Sequence, residues 1–172
     1  MKLKKSFTLI EIIVSISLFS IIIIFLYSTL NITQKSNNFF KTQLNSSIKD
    51  KNIKLLIFQD FVNSSDIKIY PSKNKNNILA FETTNTYHNS FFTNITYILT
   101  KQNNLVRIES NIKYDKKNQQ KYLDNENKYI DVIKTDVKNF RVYKHKNKNI
   151  YTIEIISNNK TKKRVIITLN TV

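Results

Sequence analysis

Glycine, cysteine and tryptophan are absent from this chain of 172 residues, and proline occurs only once. Without cysteine the protein forms no disulfide bonds and no thiolate metal sites, so its fold depends on packing and hydrogen bonding. Without glycine it cannot form the glycine-rich loops that surround a bound phosphate group. These absences exclude the common nucleotide-binding motifs and the zinc sites built on cysteine.

Residue types that carry enzymatic chemistry are few and scattered. The two histidines, His88 and His145, lie far apart among polar neighbours and are expected at the surface. Several aspartates are interpreted as isolated carboxylates: Asp60, Asp66, Asp131 and Asp136. No HExxH sequence and no calcium-binding loop is present. We therefore predict that the protein is not an enzyme and that it uses no cofactor and no metal.

Positive charge is in large excess, with 28 lysines and arginines against 12 acidic residues and a formal net charge of +16. Such a surface attracts nucleic acid or anionic lipid. The same excess also arises in a sequence that is simply rich in lysine, asparagine and isoleucine, and here the lysines are scattered. Contact with nucleic acid is therefore an alternative and not the favoured interpretation.

The apolar residues are concentrated near the N-terminus, in residues 7–30, behind a short segment with three lysines. A helix of this length spans about 36 Å, which is enough to cross a hydrocarbon core of about 30 Å. The basic flank favours a cytoplasmic N-terminus and places the remainder on the other side of the membrane. Glu11 is the one charged residue in this run.

Two simpler interpretations of the segment leave something unexplained. A secretory signal peptide has a shorter apolar region, of about 7–15 residues, followed by a small-residue cleavage site that is missing here. A plain single-span anchor accounts for everything except Glu11. A carboxylate within a membrane span costs about 2.5–3.5 kcal/mol on insertion scales. A cation that met Glu11 in a helical bundle would offset this cost.

The run KKSFTLIE, residues 4–11, resembles the class III signal of type IV prepilins and type II secretion pseudopilins. The resemblance implies that a membrane prepilin peptidase cuts between Ser6 and Phe7, and that the new amine of Phe7 is methylated. It also implies that Glu11 is the family's hallmark acid. Ser6 is a departure, because the family normally has glycine before the cut.

The resemblance further implies how Glu11 acts in filament assembly. Its carboxylate would pair with the terminal amine of Phe7 on a neighbouring subunit, an attraction that is strong where the dielectric constant is low. The implied partners are other pilin or pseudopilin subunits, the prepilin peptidase and an inner-membrane assembly platform. The implied location is the bacterial inner membrane, crossed once, with a periplasmic C-terminal domain that enters a filament.

Beyond residue 30 the helix is predicted to continue to about Val62, with two separate helices as the alternative. Its apolar positions are Phe40, Leu44, Ile48, Leu55, Phe58 and Val62, which are compatible with one face packed on a head domain. Alternating patterns then predict strands at 67–70, 78–81, 94–100, 104–110, 140–143, 150–156 and 164–169, and an ordered element at 129–133. Residues 113–128 are predicted to be a mobile loop.

A helix followed by strands predicts an α+β fold, in which the long N-terminal helix packs on an antiparallel β-sheet as in pilins. The expected parts are a leader at 1–6, a transmembrane helix at 7–30, an amphipathic continuation at 31–62 and a β-rich periplasmic head at 63–172. The predicted function is a minor pseudopilin, with a J-type subunit as the narrower guess. The alternatives are a competence pseudopilin whose basic head contacts DNA, and a generic single-span protein.

Overall fold

The computed structural model describes residues 8–72, 75–146, 149–158 and 164–170. The leader at 1–6 and the predicted cleavage residues Ser6 and Phe7 lie outside this part of the chain. A long helix is followed by eight strands and a short helical segment: α1 Leu9–Val62, β1 Ser64–Pro71, β2 Asn77–Thr83, β3 Asn94–Leu99, β4 Leu105–Ser110, a 3-10 turn Lys116–Asn118, α2 Gln119–Asp124, β5 Lys128–Lys134, β6 Val137–Lys144, β7 Ile150–Ser157 and β8 Arg164–Asn170. This order confirms the α+β prediction.

The chain divides into two units between Ile48 and Lys49. In the described part of the first unit, α1 carries the apolar run with its side chains exposed. Ser15, Ser17 and Ser20 donate hydroxyl hydrogen bonds of 2.7–2.8 Å to the carbonyl oxygens four residues earlier. These bonds satisfy the hydroxyl groups within the helix, as an apolar environment requires. Among the described residues, α1 alone is long and apolar enough to cross a membrane, which fits a single-pass anchor.

The second unit contains two antiparallel sheets in place of the single sheet that was expected. Five strands pair in the order β1-β2-β3-β4-β5, and three pair in the order β6-β7-β8. Two asparagine side chains at the start of β2 join the sheets. Asn76 Oδ1 accepts from the backbone N–H of Phe140 at 3.0 Å, and Asn77 Oδ1 accepts from that of Val142 at 2.9 Å. Where the two sheets meet, hydrogen bonds from side chains thus take the place of the backbone hydrogen bonds that pair strands within a sheet.

The last turns of α1 supply the helical part of the core. Ile53, Ile57 and Phe61, four residues apart, are buried with the apolar residues of both sheets. The predicted helical face was wrong here, because Leu55 and Phe58 are about half exposed, as is Val62. The two sets occupy different sides of the same helix, since each exposed residue lies one or two positions from a buried one, and only residues three or four apart share a face.

Residues 113–128 are not a mobile loop, and this prediction was wrong. The segment contains the 3-10 turn and α2, and Asp115 caps the turn by accepting from the backbone N–H of Lys117. Tyr114 and Tyr122 are buried in a second cluster with Val106 and Ile108 of β4. The segment therefore covers the face of the five-stranded sheet that points away from α1's buried residues.

Left-handed backbone conformations occur at Asp66, Lys75, Asn103 and Asp136, with φ between 51° and 62°. Glycine normally takes such positions, since a side chain there costs about 1–2 kcal/mol. Three of the four residues are aspartate or asparagine, which tolerate this conformation best. The chain therefore turns without glycine at a modest cost in strain.

Candidate functional site

Glu11 lies in the first turn of α1 and is held there by Thr8, the residue before the helix. The backbone N–H and the hydroxyl of Thr8 both donate to Glu11 Oε2, each at 2.9 Å. The backbone N–H of Glu11 approaches Thr8 Oγ1 at 3.4 Å. This reciprocal arrangement is a capping box, which satisfies backbone donors that have no partner inside the helix. It explains why α1 begins at Leu9.

The capping box uses only one of the two carboxylate oxygens. Within the described residues Glu11 Oε1 accepts no hydrogen bond, and the residue is exposed. Thr8 therefore fixes the carboxylate at the end of the helix while one oxygen stays accessible to a cation. The structure brings Glu11 together with Thr8, a contact that the spacing Thr8-x-x-Glu11 signals but that the sequence prediction missed.

A second charged site lies inside the head, where Arg107 of β4 meets Asp60 of α1. Arg107 Nε donates to Asp60 Oδ2 at 2.7 Å and Nη2 donates to Oδ1 at 3.1 Å, so the pair is bidentate. Arg107 Nη1 also donates to Glu109. All three side chains are fully buried. The prediction that Asp60 is an isolated carboxylate was wrong.

The loop between β2 and β3 is fastened to this ion network. The backbone carbonyl of Asn85 accepts from Arg107 Nη2 at 2.9 Å, and the side-chain amide of Asn85 donates to Asp60 Oδ1 at 2.6 Å. The backbone N–H groups of Tyr87 and His88 donate to the carboxylate of Glu109 at 2.6 and 3.0 Å. The ring of Tyr87 lies 4.7 Å from the Arg107 guanidinium carbon. The network therefore positions the loop through four hydrogen bonds and one cation–π contact.

Burial and neighbouring groups shift the pKa values of Glu109 and Tyr97. Burial raises the pKa of Glu109, but the hydrogen bonds from Arg107 and from two backbone N–H groups outweigh this effect and hold its pKa below the ordinary value. Burial and the neighbouring Asp60 carboxylate raise the pKa of Tyr97 well above its ordinary value. Tyr97 therefore stays protonated and donates to Asp60 Oδ2 at 2.7 Å. One arginine and two carboxylates leave the cluster with a net negative charge.

Polar partners also occur at both histidines, at Asp66 and at Asp131. His88 Nε2 lies 2.9 Å from Asp131 Oδ2, and its ring stacks on Tyr129 at 4.5 Å between centroids. Asp66 pairs with Lys68 at 3.0 Å and with Lys113 at 3.2 Å. The interpretation of Asp66 and Asp131 as isolated carboxylates was therefore also wrong. These ion pairs link surface groups of the second unit to one another.

Comparison with known proteins adds one finding, at the end of the chain where Glu11 lies. Residues 1–27 match the family described as the prokaryotic N-terminal methylation motif. The match supports a type IV pilin or pseudopilin family and covers the predicted leader, Phe7 and all but the last three residues of the apolar run. No curated protein and no solved structure matched the chain.

Proposed function

Because the first 27 residues carry the prokaryotic N-terminal methylation motif, we propose that this chain is a minor pseudopilin or pilin-like subunit of a type II secretion or type IV pilus-like filament. The motif implies processing and assembly with other pilin subunits in general. The helix α1, which can cross a membrane, begins within the motif at Leu9, and a β-rich head follows the helix. The subunit acts by being built into a polymer through α1 and not by catalysis.

Glu11 is the observation that carries this proposal. It is the one charged residue in an apolar run that extends to residue 30, and it stands at the fifth position after the predicted cut. A carboxylate there is costly in a lone membrane helix. The cost is offset when a neighbouring subunit brings a terminal ammonium group to it, because a charge pair in a medium of low dielectric constant attracts strongly.

The proposed sequence of events starts with removal of residues 1–6 between Ser6 and Phe7 and methylation of the new amine of Phe7. Thr8 then holds one oxygen of Glu11, and the other oxygen accepts the amine of Phe7 from a neighbouring subunit. This contact sets the axial position of the incoming subunit. The head lies in the periplasm, and the prepilin peptidase and an inner-membrane assembly platform act on the anchored form.

The test measures membrane insertion and assembly separately in cells. We expect mass spectrometry of the mature chain to show an N-methylated Phe7 at its N-terminus. We expect Glu11→Ala to insert into the membrane as the wild type does but to fall about tenfold or more in the filament fraction, because the charge pair is lost. Ser15→Ala, one turn further along the same helix, is the matched control and should assemble normally.

Two results would contradict the proposal. One is a mature chain that keeps its leader in its native host, since the terminal amine would then be displaced from Glu11. The other is normal incorporation of Glu11→Ala into the filament fraction. That result would leave only the interpretation of an ordinary domain tethered to the membrane by one helix.

A further inference from the structure

We propose that a groove at one end of the five-stranded sheet binds a small phosphate-bearing anion. The groove has a volume of about 730 Å³. Its walls come from the ends of β1, β2 and β3, the turn between β3 and β4, the 3-10 turn, the start of α2 and β6, so several parts of the second unit converge on it. Pockets that bind small molecules have volumes of about 300–1,000 Å³.

The charged side chains known to line the groove are positive. Lys101, Lys116 and Lys138 line it, and none of its described lining residues is an aspartate or glutamate. None of the three forms an ion pair with a described residue, whereas Lys68, Lys113 and Lys134 elsewhere in the head do. Lys116 Nζ donates to the backbone carbonyl of Pro71 at 2.9 Å, which leaves its other two protons for a ligand. Lysine is a compact cation that commonly binds phosphate.

A buried tyrosine supplies independent evidence for a ligand. Tyr114 lines the groove and is 4% exposed. Its hydroxyl group is buried and has no hydrogen-bond partner in the described part of the chain. Buried hydroxyl groups normally find a partner, because an unmet donor loses its hydration without compensation. A ligand oxygen that accepted a hydrogen bond from the Tyr114 hydroxyl would supply that partner. The three surface lysines alone would not require a ligand.

The other residues that line the groove indicate which chemical groups, besides phosphate, a ligand would carry. Ile78 and Ile98, which pack in the same cluster as Tyr114, give the groove an apolar side. Asn76 and Asn103 stand on its polar side. The lining therefore fits a molecule with phosphate at one end and an apolar or aromatic body at the other. The groove belongs to the second unit and uses neither Glu11 nor Phe7, so it is independent of the filament proposal.

The experiment is calorimetric titration of the purified full chain in an uncharged detergent at low salt, with inorganic tripolyphosphate as the probe. We expect saturable binding that weakens as salt is added, because the contacts are ionic. The variant with Lys101→Gln, Lys116→Gln and Lys138→Gln should bind at least about tenfold more weakly. The matched control, with Lys49→Gln, Lys121→Gln and Lys146→Gln, has the same net charge and should change affinity less than about threefold.

Tyr114→Phe separates a ligand contact from general attraction to a basic protein. It removes a hydroxyl group that has no protein partner, so the fold should be unaffected, while affinity for tripolyphosphate should fall about threefold or more. Equal binding by the two triple-lysine variants would overturn the proposal. So would binding of a single-stranded oligonucleotide without binding of tripolyphosphate, since that result would indicate a diffuse surface for nucleic acid.

Discussion

Asp60 near the end of α1 and Arg107 in β4 form a bidentate ion pair with no exposure to solvent, with Nε–Oδ2 at 2.7 Å and Nη2–Oδ1 at 3.1 Å. The pair joins the helix to the middle of the five-stranded sheet. Taking both charges out of water is costly, and the cost is recovered only while each charge keeps its partners. The head is therefore sensitive to the loss of either residue alone.

Asp60→Asn should lower the free energy of unfolding of the head by about 3–5 kcal/mol, because it leaves part of the Arg107 charge buried without a partner. Denaturant unfolding of the full chain in detergent measures this change. Asp66→Asn is the control, since Asp66 pairs with Lys68 and Lys113 in an exposed position and should cost about 1 kcal/mol or less. Similar losses for the two variants would contradict the role of the buried pair.

Glu109 should make the head sensitive to acid. Its pKa in the folded protein lies below the ordinary value of 4.5. A lowered pKa gives stability that is fully present above the unfolded pKa and is lost as the pH falls through the folded pKa. We therefore expect the stability difference between the wild type and Glu109→Gln to shrink as the pH falls below about 4.5. Unfolding measured across that range tests this, and a difference that stayed constant with pH would contradict it.

Phe61 and Phe58 give a direct test of which face of α1 is buried. Phe61 is 1% exposed and its ring lies 5.3 Å from that of Phe81, whereas Phe58 is 50% exposed. Phe61→Ala should lower the free energy of unfolding by about 3–5 kcal/mol because it leaves a cavity. Phe58→Ala should change it by less than about 1 kcal/mol. The reverse ranking, read from denaturant midpoints, would mean that the helix packs by its other face.

Thr8 should matter for assembly through Glu11, if the filament proposal holds. Thr8→Val removes the hydroxyl group that donates to Glu11 Oε2 but keeps the backbone donor. We expect a several-fold fall in the filament fraction, smaller than for Glu11→Ala, because a lost cap costs about 1 kcal/mol. Thr8→Ser should restore assembly. Thr29→Val, which removes a hydroxyl bonded within the same helix, is the control and should have no effect.

Much of the head could be predicted because its strands follow the alternation of a sheet. The hairpin of β3 and β4 and the strands β7 and β8 were predicted within one residue of their observed bounds, whereas β6 begins three residues before its predicted start. The end of α1 was predicted at Val62 because Asn63 and Ser64 follow it. Local patterns are sufficient where one side of an element faces the core and the other faces solvent.

The sequence did not predict the buried ion network, because this network lies on a strand whose two sides are both buried. In β4 the alternation places Arg107 and Glu109 on one side, which is typical of a strand with a solvent-exposed face. In the structure β4 lies between β3 and β5 and is buried on both sides. Asp60 had a usable signal, since a lone carboxylate between Ile57 and Phe61 interrupts the buried stripe. Only the tertiary structure brings these distant residues together.

The four left-handed residues affect the unfolded chain as well as the folded one. A glycine at Lys75 or Asn103 would relieve strain in the native turn, but it would also widen the range of conformations open to the denatured chain. Side chains at these positions narrow that range before folding begins. A protein without glycine therefore loses less backbone entropy when its turns form, which partly compensates for the strain that the turns retain.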